Sequence, residues 1–155
     1  MKDLQELGIN DNGRVVLRRT PTDSDIQAFE AEFDLTLPVG VIQLLRHSNG
    51  GHPERNTFYP PGPERGDGVA IDHLYYLDGD DHGEESLWLA THQWRPFLGP
   101  RALPFASDGG GNQFFIDLTD GCVKICWHDA EMVTSLLAES FEAFVDALEI
   151  DDELV

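Results

Sequence analysis

The chain has 155 residues and a formal charge of −19, because 29 Asp and Glu outnumber ten Lys and Arg. With 41% hydrophobic residues, a chain of this length can bury its own core and is expected to form one domain. Residues 1–20 carry four basic and three acidic side chains, which leaves six basic and 26 acidic ones for 21–155. A field of this sign opposes binding to nucleic acid and to anionic membranes, and it accelerates encounter with a basic protein.

The sequence contains no obvious targeting or membrane segment. No run approaches the roughly 18 apolar residues of a membrane span, and the polar start of the chain is unlike a signal peptide, so we expect a cytoplasmic protein. Cys122 and Cys126 are the two cysteines. On one strand they would lie about 13 Å apart, too far for a disulfide, and we expect two reduced thiols.

The N-terminal part predicts two helices after an extension, 1–21, in which 14–17 could form a short edge strand. Thr22 or Asp23 can cap the first helix, and its apolar residues repeat at helical spacing. The second helix is predicted from about Pro38 to Ser48. The apolar residues expected inside are Ile26, Phe29 and Phe33 in the first helix and Val41, Ile42, Leu44 and Leu45 in the second.

The second helix is expected to end at 49–51, Asn-Gly-Gly, because these residues tolerate a positive φ. The next segment, 51–68, is rich in Pro and Gly, and Phe58-Tyr59 predicts a short strand within it. Residues 69–77 predict another strand, 78–83 a solvated loop, and 84–97 a short helix that carries Trp88 and Trp94.

The segment 102–127 predicts a three-stranded antiparallel meander. An apolar strand enters a Gly-rich turn after Asp108, and a second turn at Asp120-Gly121 returns the chain again. Ser140 is expected to cap a last helix, followed by an acidic tail, 150–155. The order of elements predicts an α+β domain whose antiparallel sheet is packed by two N-terminal helices and a C-terminal helix.

Several short motifs, in this order and spacing, resemble the SUKH superfamily, named for the yeast Knr-type cell-wall regulator and its relatives. The resemblance covers about residues 22–149. Its motifs are 26–33 with Leu37-Pro38, Leu44-Leu45 with Asn49-Gly50-Gly51, Leu103-Pro104-Phe105-Ala106 with Asp108, Gly111-Asn112, Phe114, Asp117 and Gly121-x-Val123, and Ser140-Phe141-x-x-Phe144.

The resemblance implies an α+β fold and, in bacteria, a frequent role as an immunity protein. Such a protein binds and neutralises a toxin made by the same cell or its kin. The family has no general catalytic motif, and its interface residues vary among members, so the resemblance assigns no site residue.

Other motifs are weaker matches to known chemistry. Residues 78–83 faintly resemble a calcium loop, but His82 stands at its fifth position and Leu89 at its twelfth, where a Glu is required. The Gly-rich turn at 108–112 leads into a strand and lacks the Lys of a phosphate loop. The six histidines do not form a metal-ligand motif, and no nucleophile motif occurs.

We therefore predict a non-catalytic protein-binding domain without a cofactor or metal, whose partner is a basic toxin domain such as a nuclease. A nuclease groove carries Lys and Arg to hold phosphates, so acidic residues could compete for it. The stretch between Arg65 and Arg95 contains no base. The acids expected to bind the partner are Asp72, Asp78, Asp80, Asp81, Glu84 and Glu85, with Asp151, Asp152 and Glu153 of the tail as secondary choices.

Two alternatives remain open at this point. The first is a regulatory or scaffold protein that binds an endogenous partner. The second is a weak metal-dependent hydrolase that uses the loop from Asp78 to His82.

Overall fold

The computed structural model describes residues 3–10, 18–60 and 68–150. Its helices are a 3₁₀ helix at Leu4–Leu7 and four α-helices, α1 (Asp23–Phe33), α2 (Val39–His47), α3 (Leu87–Leu98) and α4 (Phe141–Asp146). Its strands are β1 (Thr57–Phe58), β2 (Val69–Ala70), β3 (His73–Leu74), β4 (Ala102–Ser107), β5 (Gln113–Asp117), β6 (Val123–Trp127) and β7 (Val133–Ala138).

The central sheet has five strands in the order β3-β4-β5-β6-β7, and every pair is antiparallel. A separate two-stranded ribbon joins β1 and β2. The predicted meander is confirmed as β4, β5 and β6, with Phe114 opposite Ile125 in the register of the last two strands. The predicted α+β class is likewise confirmed, and the sheet extends by one strand at each edge.

The bounds of helix α1 are consistent with both its N-terminal capping residues and the helical spacing of its apolar residues. The Thr22 side chain accepts a hydrogen bond from the backbone N–H of Asp25, and the Asp25 carboxylate accepts one from the N–H of Thr22, a reciprocal capping box. Ile26, Phe29 and Phe33 are all buried, which confirms the predicted stripe.

Helix α2 begins one residue later than predicted, with Pro38 as its N-cap. Three of the four residues expected inside are buried, but Ile42 is only half-buried. The helix ends at an extended Ser48, and the left-handed residues follow it at Gly50 (φ 82°) and Gly51 (φ 115°). A Cβ on Gly50 would lie 3.0 Å from the Cβ of Tyr76, so glycine serves both the turn and a close approach.

The strand expected over 69–77 is divided in the structure. Its first part, β2, pairs with β1, whereas β3 joins the central sheet. The next residues, 75–77, are buried, and Tyr76 forms an isolated bridge with Ser86. The side chain of Ser86 caps α3, which therefore starts three residues later than predicted.

The two faces of the central sheet carry clusters of unequal size. The main core joins one face of the sheet to side chains of all four α-helices, and within it Phe105, Phe114 and Phe144 are packed with ring centroids 5.7–6.4 Å apart. Truncating one of these rings to Ala costs about 3–5 kcal/mol in a typical core. On the other face, Trp94 and Leu98 of α3 pack against a smaller cluster of Ala102, Phe115 and Cys126.

Strand β7 was not predicted, because Val-Thr-Ser-Leu-Leu-Ala has neither a clean period of two nor a turn signal at its end. The predicted edge strand at 14–17 and the acidic tail beyond residue 150 lie outside the described residues. Cys122 and Cys126 are both free thiols, and desolvation raises the pKa of each. None of the described helices has the length and apolar character needed to cross a membrane.

Candidate functional site

The predicted acidic site is the segment 78–85, here called the acidic loop, which connects the sheet to α3. Its first residue, Asp78, organises the turn. One carboxylate oxygen, Oδ1, accepts hydrogen bonds from the backbone N–H groups of Asp80 at 2.8 Å and Asp81 at 3.2 Å. Asp side chains form such turns because their short carboxylate reaches the backbone two or three residues on. These donors, with Arg19, hold the pKa of Asp78 below its usual value.

A second carboxylate of the acidic loop, that of Asp81, bonds the loop to the strand before it. Its Oδ1 accepts a hydrogen bond from the Tyr76 hydroxyl at 2.7 Å and another from the Gly83 N–H at 3.0 Å. The hydroxyl donor is the largest cause of a lowered pKa at Asp81. Both carboxylates therefore stabilise the conformation of the loop as well as contributing charge.

Two arginines from the described segment before α1 neutralise these carboxylates. Arg18 Nη1 lies 3.1 Å from Asp81 Oδ2, and Arg19 Nη2 lies 3.1 Å from Asp78 Oδ1. The same Arg19 makes a two-pronged contact with Asp25, at 2.7 Å and 3.1 Å. Both arginines lie outside the base-free stretch 65–95 and about 60 positions from their partners in the chain, so no local sequence pattern indicates these pairs.

The contact between Arg19 and Asp25 is the better shielded of these pairs. The Asp25 side chain is only 10% exposed, and the guanidinium group is the largest cause that lowers its pKa from 3.8 to about 2. The same contact, first among several, raises the pKa of Arg19. Because Asp25 also closes the α1 capping box, its carboxylate joins the helix start to Arg19, which in turn pairs with Asp78 of the acidic loop.

Asn49 holds the arginine segment against the end of the sheet. Its Nδ2 donates to the backbone oxygens of Arg19 at 2.9 Å and Leu77 at 2.8 Å, and its Oδ1 accepts from the Leu77 N–H at 2.8 Å. The side chain is buried. From the sequence, Asn49 was interpreted only as part of a helix end, since its partners are remote in the chain.

The remaining predicted acids occupy different surroundings. Asp80 and Glu84 are exposed and Glu85 is half-buried, and none of the three forms an ion pair with any residue that the structure describes. Asp72 lies at the other end of β3, where its carboxylate contacts His73 Nδ1 at 3.0 Å. The structure therefore groups five of the six predicted acids and separates Asp72. The tail acids 151–153 lie outside the described residues.

The acidic loop does not present a set of metal ligands. His82 stacks on Trp88 with ring centroids 4.2 Å apart, and Asp78 is occupied by Arg19 and backbone donors. Over residues 3–10, 18–60 and 68–150, no group of three or more His, Cys, Asp or Glu side chains could hold a metal ion.

The Gly-rich turn at 108–112 is a hairpin, as predicted, because it connects β4 to β5 rather than to a helix. The Asp108 carboxylate accepts hydrogen bonds from the N–H groups of Gly110 at 2.8 Å and Asn112 at 3.0 Å, and from Asn112 Nδ2 at 2.7 Å. All three donors belong to the turn itself, so this carboxylate has a local structural role.

A second surface, which the sequence did not indicate, lies at the far edge of the sheet. We call residues 129–139, which include β7, the β7 edge. Three exposed carboxylates border its strand: Asp129, Glu131 and Glu139. None of them forms an ion pair with a described residue, and Lys124, the base on the adjacent strand, is already paired with Asp117 at 2.7 Å.

The fold and these two surfaces define an α+β domain that displays clusters of exposed carboxylates. The chain belongs to the SMI1 / KNR4 family (SUKH-1), whose sequence profile matches residues 20–147. The resemblance to the SUKH superfamily is thereby confirmed. A search of curated proteins gave no match to the chain. Membership of this family is consistent with a protein-binding domain of the toxin-immunity type, and its members are in general non-catalytic.

Proposed function

We propose that this protein is a non-catalytic immunity protein that neutralises a basic toxin domain by direct contact. The observation that carries the proposal is a set of six surface carboxylates that form no ion pair with a described residue, in a member of the SMI1 / KNR4 family: Asp80, Glu84, Glu85, Asp129, Glu131 and Glu139. We further propose that the contact takes place in the cytoplasm and needs no cofactor or metal.

The chemistry of neutralisation follows from charge complementarity. A toxin that acts on nucleic acid holds phosphates with Lys and Arg, and carboxylates placed over that groove compete with the substrate for the same side chains. A net charge of −19 also steers a basic partner toward this protein and raises the association rate, toward about 10⁸ M⁻¹s⁻¹ at low salt.

Within the acidic loop, three carboxylates are available to such a partner without breaking an ion pair of the described residues: Asp80, Glu84 and Glu85. The partner must displace Arg19 and Arg18 before it can pair fully with Asp78 and Asp81. We therefore propose that the partner first contacts the acidic loop at these three carboxylates.

The test is a binding titration against the C-terminal domain of a toxin-like protein encoded next to this gene. Affinity is measured at about 50 mM and about 500 mM salt, since exposed charge pairs are strongly screened across that range. We expect a loss of at least about tenfold at the higher concentration. Unchanged affinity would contradict the electrostatic mechanism.

Charge-reversal variants locate the contact. The triple variant Asp80→Lys, Glu84→Lys and Glu85→Lys is compared with Glu6→Lys, Glu32→Lys and Glu54→Lys, which changes the net charge equally at exposed sites elsewhere. The loop variant should lose substantially more affinity than the control. Equal losses would mean that overall charge acts without this contact. Absence of binding at either salt concentration would instead favour a regulatory protein with an endogenous partner.

A further inference from the structure

Strand β7 is an edge strand of the central sheet, and the N–H of its first residue, Val133, donates a hydrogen bond to the Ala130 carbonyl at 3.2 Å. In the part of the chain that the structure describes, β6 is the one strand paired with β7. Alternate residues of an edge strand direct N–H and C=O groups away from the sheet, and these groups can template an added strand. Together with β4, β7 is the longest strand described, with six residues.

The opposite edge of the sheet differs because it is already covered. Strand β3 has only two residues, and its Leu74 exchanges two backbone hydrogen bonds with Gly51, at 2.8 Å and 3.3 Å. Natural proteins protect sheet edges with short strands, charges, prolines or bulges. Strand β7 contains no charge and no proline. Its one irregularity is an extra residue at Leu137, which leaves 133–136 in regular register with β6.

Exposed apolar side chains also mark this edge. Four large hydrophobic residues are exposed in the described parts of the chain, and two of them lie on β7: Val133, 54% exposed, and Leu136, 62% exposed. The register with β6 places Val133 opposite Trp127 and Leu136 opposite Lys124, so the two side chains lie on opposite faces of the sheet. A strand added at β7 would therefore bury apolar area on both faces.

The charged residues around β7 indicate which kind of added strand would bind there. Asp129 and Glu131 precede the strand and Glu139 follows it, all exposed and without ion pairs to the described residues. A second copy of this chain would bring the same carboxylates, on a molecule of charge −19, against them. An extended segment with apolar residues at its centre and Lys or Arg at its ends complements both features.

We infer that β7 binds an extended basic strand of the partner protein, which adds a sixth strand to the sheet by backbone hydrogen bonding. This inference takes the basic character of the partner from the proposed function and assigns the partner a second contact. Addition of a strand to a sheet edge is a general mode of peptide recognition, in which backbone bonds supply affinity and alternate side chains supply specificity.

The test uses as the probe a blocked eight-residue peptide with four central Val residues and two Lys at each end. Its binding is measured by amide chemical shifts and hydrogen exchange of the full chain. We expect shifts and new protection to concentrate in 133–138. A control peptide with the same four central Val residues and two Glu at each end should not bind. Shifts concentrated in the acidic loop, or no shifts with the basic peptide, would overturn the inference.

A matched pair of variants controls for charge. Val133→Lys with Leu136→Lys is compared with Val39→Lys and Phe97→Lys, which alters the two exposed hydrophobic residues outside β7, 71% and 60% exposed. Both double variants replace surface side chains, so both should fold. We expect the β7 variant to weaken peptide binding at least tenfold and the control to weaken it less than threefold.

The same variants, titrated with the neighbouring toxin domain, separate this inference from the proposed function. If wild-type protein binds the domain and the β7 variant binds equally well, the added strand is refuted and the immunity function stands. If wild-type protein fails to bind the domain but the peptide still protects β7, the function fails and the edge is confirmed as a strand acceptor. Concentration-dependent dimers that the β7 variant abolishes would assign the edge to a second copy and overturn the inference.

Discussion

The acidic loop and the β7 edge both display clustered carboxylates, but described basic residues pair with two carboxylates of the acidic loop and with none at the β7 edge. Arg18 and Arg19 pair with two loop acids, whereas Asp129, Glu131 and Glu139 have no such partners among the described residues. The acidic loop follows the segment that continues from β3, and β3 and β7 are the opposite edge strands of the five-stranded sheet. A cluster of acidic residues is therefore available to bind a basic partner only where its carboxylates do not already pair with basic residues of the same chain.

The two regions should also differ in what their charges do for stability. Charges in the loop region hold α1, the arginine segment and the loop together, so removing them should destabilise the fold. Charges at the β7 edge contact no described base, so removing them should leave stability unchanged or increase it.

The largest expected effect is at Asp25. Asp25→Ala removes the partner of Arg19 and half of the α1 capping box, and we expect a loss of about 3 kcal/mol in the free energy of unfolding, measured by urea denaturation. The control is Asp23→Ala. Its carboxylate pairs with Arg46 but is 81% exposed, and exposed pairs contribute less than about 1 kcal/mol. Similar losses in the two variants would contradict a special role for Asp25.

The next largest effect is expected from low pH, which should reduce the contribution of Asp25 to the free energy of unfolding. The pKa of Asp25 is lowered from 3.8 to about 2, so its contribution is complete above about pH 4 and is lost as the pH falls toward 2. The shift corresponds to about 2 kcal/mol. Unfolding free energies of wild-type protein and Asp25→Ala, measured from pH 5 to about pH 2, should converge by that amount. Parallel curves would mean that Asp25 has an ordinary pKa.

Arg18 should have a smaller effect on stability and a distinct effect on binding. Its guanidinium carbon lies 3.4 Å from the centroid of the Tyr76 ring, and its ion pair with Asp81 is exposed. Arg18→Ala should cost about 1 kcal/mol. It also exposes the Asp81 carboxylate to a basic partner, so the affinity for the toxin domain should rise at low salt. A fall in affinity would show that Arg18 itself contacts the partner.

The smallest expected effect is an increase in the free energy of unfolding from a substitution at the β7 edge. Glu131 and Met132 are consecutive left-handed residues, with φ of 58° and 61°, a conformation that costs a non-glycine residue roughly 1 kcal/mol. Glu131→Gly should therefore raise the free energy of unfolding by up to about 1 kcal/mol. Glu131→Gln, which removes the charge but keeps the side chain, should leave it nearly unchanged. A loss of stability in either variant would place Glu131 in a contact.

Local signals accounted for most of the elements. The capping box at Thr22, the Gly-rich hairpin after Asp108 and the Ser140 cap of α4 each act within a few residues, so their sequence patterns were sufficient. The strand expected over 69–77 failed because its two parts join different sheets. Strand β7 was missed because an edge strand exposed on both sides has no alternation of apolar and polar residues to reveal it.

The residues of the candidate site could be predicted from the sequence, but which of its carboxylates form ion pairs could not. The sequence alone determined a strongly acidic α+β domain with a meander, and it placed five of the predicted acids within the short stretch 78–85, because turn chemistry, helical spacing and charge are local properties of the chain. Only the tertiary structure decided which of those carboxylates are neutralised. Arg19 and Asp78 are 59 positions apart, and Asn49 joins Arg19 to Leu77 through hydrogen bonds across 30 and 28 positions. Such pairings depend on how the elements pack against one another, which no local pattern contains.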